Sequence, residues 1–84
     1  MSLFDVITEE VALDMMKTTY RQAIGDEIGA LFNQVSPLLD SDGRLFLGLY
    51  EDEYGLPKQV TDRTYDSYSD AMAAFGALVD KVIH

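Results

Sequence analysis

Glu51, Asp52 and Glu53 form an unbroken acidic run between Tyr50 and Tyr54, the densest group of side chains in the chain that could do chemistry. In an extended segment Glu51 and Glu53 would point the same way, about 6.6 Å apart. Asp40 and Asp42 precede this run, and Asp62, Asp66 and Asp70 follow it. Carboxylates so arranged can act as general acids and bases, ligate a cation, or offer a negative surface to a basic partner. Nucleophilic catalysis needs a base, and the only histidine is the terminal His84. A calcium loop built around Gly43 as its sixth residue would put Leu38 first and Leu49 twelfth, and neither can coordinate. The six glycines are too scattered for a phosphate-binding loop, and with no cysteine there is no thiolate metal site. The chain is therefore not expected to be an enzyme, and no cofactor or metal is expected. The remaining use is partner binding, by Asp40, Asp42, Tyr50, Glu51, Asp52, Glu53, Tyr54, Asp62, Asp66 and Asp70. The tyrosines would serve as rigid amphipathic anchors of the kind found at interface hot spots.

Charge supports this reading. Fifteen acids against six bases give a net charge of −9. Residues 1–36 contribute −4, residues 37–66 another −4, and residues 67–84 only −1. Such a chain is repelled by nucleic acid and by anionic lipid, whose direct binding depends on Lys and Arg. A basic protein surface is the expected partner, with encounter steered by complementary charge. The first residues are acidic where a signal peptide would be basic, and no apolar run is long enough to span a bilayer. A cytoplasmic location, in a bacterial host cell, is expected.

The elements that must position these residues fit one domain, residues 1–84, since 84 residues with 48% hydrophobic content can bury a single core. Thr8 with Glu9 and Glu10 signals a helix start. Leu13, Met16, Tyr20, Ile24, Ile28, Leu31 and Val35 then recur at steps of three and four. Their unbroken phase predicts one helix over about residues 8–35, crossing Gly25 and Gly29. The alternative is a break, with Gly25 ending one helix and Asp26 opening another. Ser36-Pro37 stops the helix, and residues 40–43 make a turn. Residues 45–50 read as a strand that is apolar on both faces, and residues 58–65 as a more polar return strand at an edge. Ser67 caps a final helix with Met72, Phe75, Leu78/Val79 and Val82/Ile83 on its buried stripe. The fold class is α+β, in the order α-β-β-α. Phe46, Gly48 and Tyr50 leave a second apolar face, and Ala73, Ala74, Gly76 and Ala77 leave a smooth helix surface. Burial of either against a second copy, or of the alanine surface against Gly25 and Gly29, is expected; a homodimer would do the former.

Length, acidity and helix content are similar to those of acyl carrier proteins. However, Asp40-Ser41-Asp42 and Asp66-Ser67-Tyr68 lack the leucine of that family's Asp-Ser-Leu motif, and a hairpin has no place in its four-helix fold. In size, charge and compactness the whole chain resembles phage-encoded inhibitors of bacterial defence, the anti-CRISPR proteins, which share no common motif. The resemblance implies binding to a CRISPR effector complex, with carboxylates taking the place of phosphates in a positively charged channel. An antitoxin or immunity protein that neutralises a basic toxin or nuclease is the alternative function, and a small structural subunit a further one.

Overall fold

The computed structural model describes residues 4–52 and 54–84. Its elements run β1 (Val6–Ile7), α1 (Glu9–Gln22), α2 (Glu27–Gln34), β2 (Val35–Leu39), β3 (Leu45–Leu49), β4 (Lys58–Val60) and α3 (Tyr68–Ile83). The four strands form one sheet in the order β1-β4-β3-β2. β2 and β3 pair antiparallel along their full length, from Val35 opposite Leu49 to Leu39 opposite Leu45. β4 is antiparallel to β3, and β1 is parallel to β4. The α+β class and a single compact body follow from the sheet and three helices.

Local chemistry sets the helix ends. The Thr8 side chain accepts from the Val11 N–H, and the Ser67 side chain accepts from the Asp70 N–H, as helix-start caps do. The long N-terminal helix does not form. The chain breaks between Gln22 and Glu27, where Gly25 adopts φ +98° and the Asp26 side chain caps α2 through the Gly29 N–H. A positive φ is open to glycine at little cost, whereas the rest of the apolar stripe asks only for phase. That stripe pays for the break with Ile24, which is 97% exposed, while Met16, Leu31 and Val35 are buried.

A second correction concerns residues 35–39. Ser36 and Pro37 do not end a helix; they lie in β2, an edge strand, where proline's missing donor is tolerated. The return strand is not an edge, because β4 lies between β1 and β3. It is also shorter than its sequence suggests. Thr61 takes a left-handed φ of 59°, and pairing resumes only at the Leu45–Tyr65 bridge. From 48 opposite 59 to 45 opposite 65, three steps along β3 face six along the return, so residues 61–64 bulge outward.

Both faces of β3 are covered within the chain. Leu45, Leu47 and Leu49 meet Ala12, Met16, Leu31, Phe75 and Leu78 beneath the helices. On the opposite face the Phe46 ring lies 5.7 Å from that of Phe4. A Cβ on Gly48 would meet the Leu38 side chain and lie 3.3 Å from Pro57 Cβ. Phe46 is only 2% exposed, so the face that suggested a homodimer is already buried. The glycines do not receive the alanine surface either. A Cβ on Gly25 or Gly76 would meet nothing within 4 Å, and the atoms nearest to one on Gly29 are those of its own cap, Asp26. Instead, α2 and α3 meet through an edge-on contact of Phe32 and Phe75, 5.0 Å between centroids. No helix among the described residues is long and apolar enough to cross a membrane.

Candidate functional site

The antiparallel register sorts the acidic residues into two groups. Asp40 and Asp42 lie in the β2–β3 turn, at the start of β3, and the bridge at Tyr65 brings Asp66 to that same end. Asp62 lies in the adjoining bulge, and Asp70 stands in the first turn of α3. Tyr50, Glu51, Asp52 and Tyr54 follow the other end of β3. The six steps from Arg44 to Tyr50 span about 20 Å of strand, so the two groups stand at opposite ends of β3. Glu53 lies outside the described residues.

At the turn end Asp40 and Asp66 are occupied. Asp40 Oδ1 accepts from the Asp42 and Arg44 N–H groups, both at 2.9 Å, which fixes the turn. Asp66 pairs with the Arg44 guanidinium at 2.6 Å, and Arg44 Nε also donates to Thr64 Oγ1 at 2.7 Å. Asp42, Asp62 and Asp70 remain exposed. Arg44 offsets part of the charge here.

The loop end is arranged differently. Asp52 Oδ1 accepts from the Tyr54 and Gly55 N–H groups at 2.8 and 2.6 Å, which ties both residues back to Asp52. Its other oxygen has no donor among the described residues. Glu51 is exposed and meets Lys58 only at 4.0 Å. Above this turn Tyr54 is 95% exposed and Leu56 77% exposed. Tyr50, by contrast, is half-buried, and it lines a shallow depression of about 240 Å³ with Thr19, Asn33, Gln34, Glu51 and Asp52. Gln34 Oε1 is buried there with no hydrogen-bond donor among the described residues. The pairing of Tyr50 N–H with Gln34 O at 2.8 Å holds the depression against the end of α2. An exposed aromatic ring and carboxylates with free oxygens together make a surface that can dock a cationic partner.

A second concavity, of about 340 Å³, lies between α3 and the bulge. Glu9, Arg63, Tyr65 and Lys81 stand around it, over apolar walls from Leu47, Ala74, Ala77 and Leu78. Burial raises the Tyr65 phenol above its ordinary 10.0; Arg63 opposes the rise and Glu9 adds to it. Sequence reasoning missed this site, because Glu9, Arg63 and Lys81 are separated by most of the chain and share no motif. It also missed Gln34, which reads as an ordinary last-turn helix residue. Among the described residues no group of three or more His, Cys, Asp or Glu side chains could hold a metal ion. No family model matches the chain, and neither a curated protein nor a solved structure shows significant similarity to it.

Proposed function

We propose that this chain is a protein-binding inhibitor, not an enzyme, and that it docks through the loop end of β3 onto a basic protein surface. The observation that carries the reading is Tyr54, 95% exposed on a loop that Asp52 holds closed. Tying the Tyr54 N–H to Asp52 restricts that residue before binding and so lowers the entropy lost when a partner buries its ring. Glu51 and the open oxygen of Asp52 beside it select for Lys or Arg opposite. A guanidinium entering the depression would meet both carboxylates, with the Gln34 amide on its floor. The net charge of −9 steers such an encounter. Surfaces of this kind occur where proteins hold nucleic acid, so a CRISPR effector complex in a bacterial cytoplasm is the partner class we favour.

The immobilised protein should capture its partner from a host lysate, and double-stranded DNA should compete with that capture. Glu51→Lys and Tyr54→Ala should each abolish it. Asp52→Lys is a poor probe, because it would also remove the acceptor that closes the turn. Capture that resists DNA competition and survives both substitutions would refute an acidic docking surface at this end.

A further inference from the structure

The groove between α3 and the 61–64 bulge reverses the sign of the molecule. The chain carries −9, yet the charged groups lining this concavity are Arg63 and Lys81 against Glu9 alone, a local excess of one positive charge. Lys81 Nζ is held 3.0 Å from Glu9 Oε2, which joins the last turn of α3 to the first turn of α1. Arg63 forms an ion pair with no carboxylate among the described residues. Lys17 and Arg21 also pair with no acid among the described residues, but of the three only Arg63 lines this concavity.

The backbone that places it there is unusual. Thr61 is the one described non-glycine residue with positive φ, at 59°, and a β-branched residue rarely accepts that conformation. Its N–H donates to Ile7 O at 2.8 Å, and its Oγ1 accepts from the Arg63 N–H at 3.2 Å. Strained residues persist where surrounding structure holds them, and they concentrate at ligand-binding positions. The opposing wall is flat, since Ala74 and Ala77 present only methyl groups, and Leu47 and Leu78 close the floor. A volume near 340 Å³ is at the lower end of the range for small-molecule sites, about 300–1,000 Å³.

We propose that this groove binds a small aromatic monocarboxylate, its carboxylate paired with Arg63 and its ring laid against Ala74 and Ala77. One unpaired guanidinium matches one negative charge, whereas a phosphate dianion would bring a second charge that nothing here offsets. The Tyr65 phenol offers a hydroxyl donor at the same rim. The site lies away from the loop that carries Tyr54 and does not depend on the docking function.

Phenylacetate and its neutral amide, phenylacetamide, test the assignment by amide NMR titration of the whole chain. Phenylacetate should give saturable shifts confined to residues 61–65 and 74–81, and phenylacetamide should give none. Arg63→Gln should weaken phenylacetate binding by about tenfold or more, the contribution of a charge-assisted hydrogen bond. Ala77→Leu, on the exposed helix surface, should block the groove while the remaining spectrum stays folded. Equal response to the amide, unchanged affinity in Arg63→Gln, or shifts spread equally to Lys17, Arg21 and Arg44 would overturn the proposal.

Discussion

The two ends of β3 both carry acidic residues and set them among different neighbours. At the turn end, Asp40 spends an oxygen on two backbone donors and Asp66 is neutralised by Arg44. At the loop end, Asp52 closes one turn, yet Glu51 and an oxygen of Asp52 stay open beside an exposed Tyr54. Formal charge counts carboxylates; recognition depends on those that the fold has not already satisfied. The difference arises from the neighbours, since Arg44 and Thr64 face the first group while the second has only a distant Lys58.

The largest effect tests the strand that keeps the ends apart. Phe46→Ala should destabilise by about 3–5 kcal/mol, as loss of a buried aromatic does, measured by urea unfolding. A cost below about 1 kcal/mol would mean that the Phe4 side of the sheet is not a packed face. Next, Asp40→Ala should cost about 1–2 kcal/mol through two lost acceptor contacts, while Asp42→Ala should stay within about 0.5 kcal/mol. Equal losses at both positions would erase the distinction between occupied and open acids. Smaller again is Asp66→Asn, because its pair with Arg44 is well exposed; about 0–1 kcal/mol is expected, fading as salt rises.

The smallest effect concerns Tyr65. Its folded pKa lies above the unfolded value, so its share of stability is intact below pH 10.0 and is lost as pH climbs through the raised pKa. Ultraviolet titration of phenolate absorbance should show a component above 10.0 that Tyr65→Phe removes. If that component survives the substitution, Tyr65 is not the buried phenol.

Local chemistry was legible where one residue decides the outcome. Thr8 and Ser67 act as the caps their side chains imply, and Met72, Phe75, Leu78 and Val82 all turn toward the core or its margin. The break at Gly25 was visible only as an alternative, since an apolar stripe can keep its phase across a gap, as Ile24 shows by standing in solvent. β2 was masked by Pro37, whose usual meaning changes at a sheet edge. β1 is two residues long and has no periodicity to read. The acidic cluster was legible as composition, but its division was not, because it depends on the register of β3 against β2 and on the Thr61 bulge. Sequence places Asp66 near Ser67; only pairing of Tyr65 with Leu45 reveals that it faces Arg44.

The parallel pairing of β1 with β4 joins residues some fifty positions apart, Val6 with Gln59 and Ile7 with Val60. On the ribosome, Val6 and Ile7 must therefore wait with their backbone groups unmatched until β4 has emerged. At about 5–20 residues per second that delay lasts several seconds. Over the same interval β2 and β3 can close locally, so the nascent chain holds an open hairpin border before its final neighbour arrives. The last stitch of the sheet waits for residue 60 and the Lys81–Glu9 tether for residue 81, so the two ends of this fold are fastened together only after α3 has emerged.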